Sequence, residues 1–406
     1  MKETSSIYDY LSDTEVAQLK NFIKDKETPF VVLDLKRIAQ NYHDLKTNLP
    51  IAKIYYAAKA NPHPEVIKLL YNKGSNFDVA SIYEIDQLLA LGIPPERMSY
   101  GNTIKKAEHI AYAYKKGIRI FATDSFSDVD KIAANAPGSK VLFRILLEGG
   151  NADWPLSKKF GAHPDLVYKL IIETNKKNLI PYGLSFHVGS QQRDIGQWDN
   201  AIAFCKYIMD GLKTEGIRLQ ALNLGGGFPT KYVHKTRTLS EYCSSIMQFL
   251  REDFGNEIPE IMIEPGRSMV GNAGVLVSQI IMVSQKSFTD ENKWVFIDAG
   301  KFNGLIETLD EAIKYPIFWE HAQPNEQNTE KVILAGPTCD SADIMYERYQ
   351  YKFPASIKEG DKLLILSIGA YSTSYCSVSF NGFPPLTTYL LDENSQEQKT
   401  LPGITE

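Results

Sequence analysis

Short apolar runs that end in polar or glycine residues recur along the first two thirds of the chain, and they constrain its fold more than any other feature. Five of them begin about 21 residues apart: IYYAAKAN (54–61), FDVAS (77–81), MSYGN (98–102), IRIFATDS (118–125) and KVLFRILLE (140–148). Such runs are typical of buried parallel strands. The segments between them carry apolar residues at helical spacing. The pattern therefore predicts a repeated strand–helix unit.

Three more runs of the same kind follow at wider spacing: YGLSFHVG (182–189), LQALNLGGGF (219–228) and EIMIEPGR (260–267). The segments near 163–176, 196–214 and 238–253 are predicted to be helices. The last of these helices opens with Thr238 and Glu241, which have the spacing of a capping box. Eight strands alternating with helices predict an α/β fold, a (β/α)8 TIM barrel, whose chemistry lies at the C-terminal strand ends.

After about residue 275 the pattern changes to strand-like stretches without long helices between them. These stretches are VLVSQIIMVSQ, KWVFIDAG, KVILAG, DKLLILSIG and CSVSFNGF. The segment TPFVVLD (28–34) is expected to join them. We therefore predict a barrel over 35–274 and a mostly β domain, similar to a β-sandwich or barrel, from 1–34 and 275–406. Asn325–Lys331 is predicted to be an exposed loop and Asp392–Glu406 a loose tail.

Composition excludes several classes of protein. The 406 residues are 43% apolar with a net charge of −5, which suits a large core and disfavours nucleic acid as a partner. The most apolar stretch, Ala273–Val283, is interrupted by Ser278 and Gln279, so no membrane span is expected. The first residues show no basic and apolar leader, which favours the cytoplasm. Four separated cysteines fit neither a zinc site nor a disulfide framework.

Polar residues close the first two predicted strands. Lys59 follows IYYAA, which would place its amine at the mouth of the barrel, and a desolvated lysine suits Schiff-base chemistry. A solvated surface lysine is the alternative. Asp78 follows the next strand and would lie beside that amine. Its alternative role is to cap the helix that begins at Ile82.

An imidazole, a run of glycines and a charged pair lie at the ends of the later predicted strands. His187 lies in SFHVGS with Ser190 after it, and it could stack on a cofactor, act as a base or, least favourably, bind a metal. Gly225, Gly226 and Gly227 allow backbone N–H groups to approach a phosphate, although a simple turn is the alternative. Glu264 and Arg267 follow the last strand, and an arginine beside a glycine loop suits phosphate.

Taken together, these residues converge at one end of one barrel and point to a phosphorylated cofactor. Pyridoxal 5'-phosphate matches each of them. Its aldehyde would react with Lys59, its ring face would lie on His187, and its ring nitrogen would face Glu264. Its phosphate would bind the glycine run and Arg267. No metal is expected.

With these residues in place, the chain resembles the fold type III pyridoxal phosphate-dependent decarboxylases, the family of ornithine, lysine/ornithine and diaminopimelate decarboxylases. The likeness covers nearly the whole chain, and the shared order of its motifs is specific. The motifs are YAAKAN with Lys59, FDVAS with Asp78, Arg144, SFHVGS, LGGGFP, IEPGR, IDAG with Asp298, GPTCDSAD with Cys339 and Asp340, and GAYSTSYCSVSFNGF with Tyr371 and Phe380.

The resemblance implies roles for these residues. Lys59 would hold the cofactor covalently with support from Asp78, and Arg144 would lie near the phenolic edge of the ring. Ser190, Tyr371, the glycines and Arg267 would hold the phosphate. Glu264 would keep the ring nitrogen protonated, which favours decarboxylation over racemisation. The family also implies a homodimer in which each active site forms between the barrel of one subunit and the GPTCD loop of the other.

On the substrate side, Cys339 would return a proton to the α-carbon, unless it is an inert thiol in a turn. Asp298 and Asp340 would bind a distal ammonium group, with Phe380 also contacting the substrate. Similar enzymes that take diaminopimelate read CESGD at the cysteine loop and carry an arginine after the Asp-Ala-Gly turn. This chain reads CDSAD and has no arginine between Gly300 and Asp340.

The sequence therefore favours decarboxylation of a basic L-amino acid, and within that class L-ornithine, giving putrescine for polyamine biosynthesis. A lysine or dual lysine/ornithine decarboxylase is the first alternative and a diaminopimelate decarboxylase the second, because one methylene changes affinity by only about 1–3 kcal/mol. Two hypotheses from other classes are a noncatalytic regulatory relative and a cofactor carrier. The first should lack cofactor residues that this chain has, and the second is usually a single domain.

Overall fold

We describe the chain from a computed structural model. The structure describes residues 6–147, 150, 152–154, 158–322, 328–377, 381 and 386–391. The chain divides into two compact units. The first, here called the barrel unit, comprises Ala39–Pro229 and Thr236–Met269, and the second, the sheet unit, comprises Met1–Ile38, Thr230–Lys235 and Val270–Glu406.

The helices of the described chain follow the predicted order and add two near the N-terminus. Their bounds are α1 (Asp13–Ile23), α2 (Leu35–Asn48), α3 (Pro64–Asn72), α4 (Ile82–Ala90), α5 (Ala107–Lys115), α6 (Phe126–Asn135), α7 (Pro164–Asn175), α8 (Gly196–Thr214), α9 (Leu239–Phe254) and α10 (Arg267–Val270). The capping box expected at the start of α9 forms, with Thr238 and Glu241 each accepting a backbone hydrogen bond from the other.

The strands fall into two sets that belong to different units. In chain order they are β1 (Phe30–Asp34), β2 (Ala52–Ala57), β3 (Asn76–Val79), β4 (Met98–Tyr100), β5 (Ile120–Thr123), β6 (Lys140–Arg144), β7 (Ala152–Trp154), β8 (Ile180–Ser185), β9 (Ser190–Gln192), β10 (Ala221–Asn223), β11 (Glu260–Ile263), β12 (Gly274–Ser284), β13 (Lys293–Ile297), β14 (Ile317–Trp319), β15 (Thr329–Ala335), β16 (Ile344–Pro354), β17 (Lys362–Leu366) and β18 (Thr387–Leu391).

In the barrel unit, eight parallel strands close in the order β10-β11-β2-β3-β4-β5-β6-β8, so the predicted barrel is confirmed. Buried side chains from several strands pack together in its interior, and they include Tyr55, Leu142, Tyr182 and Met262. At Gly183 a Cβ atom would lie only 2.2 Å from the Ala221 carbonyl oxygen, so glycine is required there. The side chains that end the strands are consequently held at one rim of a packed core.

The sheet unit is built on one eight-stranded sheet, which confirms the predicted second, mostly β part of the fold. Its strands run in the order β14-β17-β12-β13-β15-β16, with β1 pairing β12 and β18. Phe30 and Val32 of β1 pack with Val277 and Leu364, and α1 covers them with buried residues of its own. The segment 28–34 therefore contributes a strand to this sheet.

The structure also corrects the sequence interpretation of this unit. Strands β14, β16 and β18 were not predicted, and Thr329–Lys331 belong to β15 instead of a loop. Cys376, Ser377 and Asn381 of the predicted strand CSVSFNGF are not in a strand, and the rest of that segment lies outside the described residues, as does the predicted tail 392–406. In β16 the alternation of Tyr349, Tyr351 and Phe353 is a period-2 signal that could have revealed the strand.

None of the helices that the structure describes combines the length and the apolar character needed to cross a bilayer.

Candidate active site

Lys59 lies in a single 3-10 turn, Ala58–Ala60, immediately after β2. The turn carries the residue past the end of the strand, and its side chain is exposed in the described chain. The expectation of a desolvated amine is therefore not met. Lys59 is close enough to the carboxyl groups of Asp78 and Glu84 for its charge to oppose the rise that burial causes in the pKa of each.

Asp78 lies on β3 and is 5% exposed. Burial raises the pKa of its carboxyl group well above the usual range, the nearby charge of Glu264 adds to this, and Lys59 opposes it. The alternative role as a helix cap is wrong, because Ser81 caps α4 by accepting a hydrogen bond from the Glu84 N–H. A Cβ atom on Gly101 would lie 2.0 Å from Asp78 Oδ1, so a glycine is needed opposite this carboxyl group.

Glu84 was missed by the sequence reasoning, although Ser81 and Glu84 have the spacing of a helix start. Its Oε2 accepts a 2.6 Å hydrogen bond from the Ala80 N–H. Burial raises the pKa of its carboxyl group, whereas that hydrogen bond and Lys59 lower it. The lysine therefore faces two acids held at the ends of β3 and α4.

His187 follows β8, and its Nδ1 accepts a 3.0 Å hydrogen bond from the Gly189 N–H. An imidazole nitrogen that accepts is unprotonated, so the proton of the neutral ring is on Nε2. Burial, followed by the positive charges of Arg144 and Lys59, lowers the pKa of His187 well below its ordinary value. The ring is therefore neutral at physiological pH, as a group that stacks on a cofactor should be.

The glycine run forms a loop in which none of the three residues has room for a side chain. A Cβ atom would lie 2.1 Å from the Phe186 carbonyl oxygen at Gly225, 2.6 Å from the Glu264 carbonyl oxygen at Gly226 and 2.7 Å from the Gly189 carbonyl oxygen at Gly227. Gly225 and Gly227 also have positive φ angles, +64° and +96°. The loop is thus more than a simple turn, since its backbone packs against two other strand ends.

Asn223, another residue that the sequence reasoning missed, joins this loop to the acid after β11. Its Oδ1 accepts a 2.9 Å hydrogen bond from the Gly225 N–H, and its Nδ2 donates a 2.5 Å bond to Glu264 Oε1. The Glu264 N–H in turn donates to the Gly225 carbonyl oxygen at 2.7 Å. Asn223 is fully buried, so these bonds form in a medium of low dielectric constant.

Two arginines complete the rim of the barrel. Arg267 is 3% exposed, and its Nε and Nη2 donate to Ser190 Oγ at 3.2 and 3.1 Å. The structure therefore brings together the serine and the arginine that were expected to share a phosphate. Arg144 ends β6 with its guanidinium 5.0 Å from the centre of the Phe160 ring, and burial lowers its pKa.

In the sheet unit, Asp298 follows β13 with its carboxylate already engaged. Its Oδ1 accepts hydrogen bonds from Ser278 Oγ at 2.6 Å and from the Gln279 N–H at 2.9 Å, and Thr28 Oγ1 donates to its Oδ2 at 2.5 Å. Burial raises the pKa of Asp298 and these bonds oppose the rise. This acid therefore anchors its own turn, whatever else it binds.

Cys339 and Asp340 lie on an exposed loop of the same unit, after β15. Asp340 Oδ1 accepts a 2.8 Å hydrogen bond from the Ala342 N–H, which leaves the carboxylate on the surface of the loop.

Asp343, to which the sequence analysis gave no role, is the buried anchor of that loop. One carboxylate oxygen accepts from the Lys301 N–H at 2.8 Å, and the other accepts from the Thr338 N–H and hydroxyl at 3.2 and 2.7 Å. Cβ atoms on Gly300 and Gly336 would lie within 2.4 Å of Asp343 Oδ1. The Asp-Ala-Gly turn and the cysteine loop are thus held to one carboxylate.

Two predicted residues remain. Tyr371 lies in the sheet unit with a positive φ angle of +55°, and Phe380 lies outside the described residues. Among the residues that the structure describes, no group of three or more histidine, cysteine or acidic side chains is arranged to hold a metal ion.

The barrel rim fits pyridoxal phosphate on its own geometry. It offers a primary amine at Lys59 and a neutral, half-buried imidazole at His187. The glycine loop has no room for side chains, and Arg267 is buried with Ser190 as its hydrogen-bond partner. Glu264 is fixed by an amide donor. The rim therefore has a matching partner for each part of the cofactor: its aldehyde, its flat ring, its phosphate and its protonated ring nitrogen. This set of partners defines a pyridoxal phosphate enzyme.

Comparison with known proteins extends this assignment. Residues 35–271 match the family model for the pyridoxal-dependent decarboxylase, pyridoxal binding domain. The chain is 32% identical to the lysine/ornithine decarboxylase of Selenomonas ruminantium, over 95% of this chain and 94% of that protein. It is 30% identical to antizyme inhibitor 2 of Xenopus laevis, over 87% of this chain and 79% of that protein.

Among solved structures, the chain is similar to the lysine/ornithine decarboxylase of Vibrio vulnificus complexed with putrescine. The TM-score is 0.84 at 27% identity, and the match covers 94% of this chain and 99% of the other. The chain belongs to the pyridoxal-dependent decarboxylase family, and it is a pyridoxal phosphate-dependent carboxy-lyase of the type that the sequence motifs implied.

Substituting Gly226 tests the glycine loop. In Gly226→Ala the new methyl group must displace the Glu264 carbonyl oxygen, so we expect the dissociation constant for pyridoxal phosphate to rise about tenfold or more. Fluorescence titration of the cofactor measures it. Gly150→Ala is the matched control, because no atom lies within 4 Å of a Cβ placed there. Equal affinity in the wild type and Gly226→Ala would remove this loop from the cofactor site.

The ionisation of His187 gives a second prediction. Because its pKa is lowered well below the ordinary value, the ring should stay neutral between about pH 6 and pH 8. Its resonance in a ¹⁵N–¹H spectrum of histidine-labelled protein, assigned by its loss in His187→Gln, should show no titration in that range. A midpoint near pH 6.5, the usual value for histidine, would contradict the burial argument.

Proposed function

We propose that this decarboxylase acts on a basic L-amino acid and prefers L-ornithine, giving putrescine and CO2. The observation that carries the proposal is the exposed carboxylate of Asp340 on the Cys339 loop, in a segment that contains no arginine from Gly300 to Asp340. An exposed acid in a segment without arginine suits a terminal ammonium group. The similarity to the lysine/ornithine decarboxylase of Selenomonas ruminantium supports the same substrate class.

The barrel rim would hold the cofactor. Lys59 would bind its aldehyde, within the electrostatic influence of Asp78 and Glu84. His187 would lie against the ring, and Arg144 near its phenolic edge. The phosphate would be held by Ser190, Arg267 and Tyr371 and by the backbone of Gly225, Gly226 and Gly227.

Glu264 would decide the type of reaction. Its carboxylate is fixed by the Asn223 amide donor, which directs one oxygen. Bound pyridoxal phosphate supplies an electron sink for the pair released when CO2 leaves, and a protonated ring nitrogen strengthens that sink. A carboxylate at this position holds that proton, which favours decarboxylation.

Cys339 would act as the general acid after CO2 leaves. The bond from the α-carbon to the carboxylate breaks, and a proton from Sγ forms the new C–H bond. The exposed position of Cys339, on a loop anchored by Asp343, suits a group that must meet a bound substrate.

At the distal end of the substrate, Asp340 and Asp298 are proposed to bind the ammonium group, with Phe380 in contact with the chain between. Asp340 is the stronger candidate of the two acids. Its carboxylate is exposed, whereas that of Asp298 already accepts three internal hydrogen bonds.

Lysine, alone or with ornithine, is the first alternative substrate, and diaminopimelate is the second. A noncatalytic regulatory role is the alternative from another class, since the chain is also similar to antizyme inhibitor 2. The presence of Lys59, Glu264, Cys339 and Asp340 together speaks against it. A cofactor carrier is disfavoured by the second compact unit.

We further propose a cytoplasmic homodimer in which the Cys339 loop of one subunit completes the barrel of the other. The assignment of 35–274 to the cofactor domain, and of 1–34 and 275–406 to a domain for substrate and dimer contacts, belongs to the same proposal.

A substrate panel tests the function. Purified holoenzyme should release CO2 from L-ornithine with a higher kcat/KM than from L-lysine, L-arginine or meso-diaminopimelate. Asp340→Asn should raise the KM for ornithine about tenfold or more, because it removes a charge-assisted hydrogen bond, and Asp298→Asn should raise it less. Mass spectrometry of the amine product identifies putrescine. No CO2 from any of the four would favour the regulatory alternative, and a preference for lysine would reassign the substrate.

Mixing two inactive variants tests the shared site. Lys59→Ala and Cys339→Ala subunits should regain activity when they exchange, because half of the dimers would be mixed and each mixed dimer would hold one intact site. The expected maximum is about one quarter of wild-type activity. Exchange is verified by pull-down of differently tagged subunits. Verified exchange without recovery would show that each site is built from one chain.

A further inference from the structure

A contact between Asn381 and Cys339, both in the sheet unit, has no role in the site described so far. Asn381 Oδ1 accepts a 3.3 Å hydrogen bond from the Cys339 N–H, and the same oxygen lies 3.6 Å from Cys339 Sγ. A thiol is a weak donor, and 3.6 Å is within the range of S–H···O contacts. One amide oxygen therefore contacts both the backbone and the thiol of the cysteine.

The Cys339 loop is fixed from two sides. On one side, Asp343 accepts hydrogen bonds from the backbone and hydroxyl of Thr338, the residue before the cysteine. On the other side, Asn381 accepts from the cysteine itself. Because Asp343 is buried and its carboxylate bonds the backbone and hydroxyl of Thr338, it fixes where the loop lies. The direction of the thiol is left to Asn381.

Asparagine suits this position for two separate reasons. Its φ angle is +51°, in the left-handed region, where asparagine and glycine are the residues best tolerated. Its side chain also supplies the acceptor. Glycine would preserve the backbone conformation but remove the acceptor oxygen. Aspartate tolerates the same backbone conformation and retains an acceptor oxygen. Comparing these two substitutions therefore distinguishes the effect of the backbone conformation from the effect of the hydrogen bond.

We propose that Asn381 is a positioning residue that orients the Cys339 thiol for one-sided proton delivery to the α-carbon. The inference rests on the proposed role of Cys339 as the general acid. An amide oxygen accepts a hydrogen bond without taking the proton, so the thiol keeps the proton that it must deliver. When CO2 leaves, that proton forms the new C–H bond, the electron pair of the broken C–C bond enters it, and the thiolate is reprotonated by solvent.

The configuration of the product tests this directly. In D2O the thiol carries deuterium in place of its proton, so the product amine has one C–D bond at the former α-carbon. The configuration of that carbon shows from which side the deuterium was added. We expect one enantiomer from the wild type and from Asn381→Asp. From Asn381→Gly we expect both enantiomers and a kcat about tenfold lower with little change in KM, as for a misdirected general acid. Chiral derivatisation and NMR measure the ratio.

Alkylation of Cys339 by iodoacetamide gives a readout independent of turnover. It is measured by mass spectrometry in a Cys376→Ser background, with holoenzyme. The reactive form is the thiolate. Removing the acceptor in Asn381→Gly should speed alkylation several-fold, and the added negative charge in Asn381→Asp should slow it.

The outcomes separate the possible failures. A single enantiomer from Asn381→Gly would overturn the proposal, whether or not the alkylation rate changes. So would mixed enantiomers from both variants, because the backbone and not the acceptor would then matter. If Cys339→Ala kept wild-type activity and configuration, the proposed general acid would be wrong and the positioning role would fall with it. The alkylation rates would still show whether Asn381 engages the thiol.

Discussion

The bond from the Asn223 amide to the Glu264 carboxylate is the interaction on which the barrel site depends. The same side chain accepts a hydrogen bond from the Gly225 N–H, so the residue proposed for the ring nitrogen and the loop proposed for the phosphate are fixed by one buried group. Glu264 and Gly225 are also joined through their backbones. A cofactor held at its nitrogen and its phosphate by one rigid unit has little freedom to rotate, which is how a protein directs the chemistry of pyridoxal phosphate.

At the rim of the barrel, acidic and basic groups also lie close enough for their charges to influence one another. Asp78, Glu84 and Glu264 face Lys59 and Arg144, and the charge of each shifts the pKa of its neighbours. Such clusters are costly to assemble and are concentrated at functional sites. The stability needed to hold this cluster comes from the closed barrel, whose interior is packed below the rim.

The barrel and its strand ends could be predicted from the sequence because period and spacing are local signals. Lys59, Asp78, His187, Glu264 and Arg267 lie at or just after strand ends, as expected. The contacts of Asn223 could not be predicted, since its partner Glu264 lies 41 residues away in sequence and an asparagine before a glycine run looks like a turn residue. The requirement for glycine opposite Asp78 is equally nonlocal.

The sheet unit was harder to predict from the sequence, because similar sequence patterns mark residues that have different roles. Asp298, Asp340 and Asp343 are all acids near glycines. Only the structure shows that Asp298 accepts hydrogen bonds from Ser278 on β12, and that Asp343 accepts them from Lys301 and Thr338. Strand β16 was hidden by charged residues on its exposed positions. The domain boundaries and the roles of Tyr371 and Phe380 stay predictions.

Reductive trapping tests the central claim, that this barrel rim holds pyridoxal phosphate through Lys59. Borohydride treatment of the holoenzyme, followed by peptide mass spectrometry, locates the lysine that is bonded to the cofactor. The account predicts a reduced pyridoxyl phosphate group on Lys59. A label on another lysine, such as the buried Lys105, or no label on a protein that contains the cofactor, would contradict it.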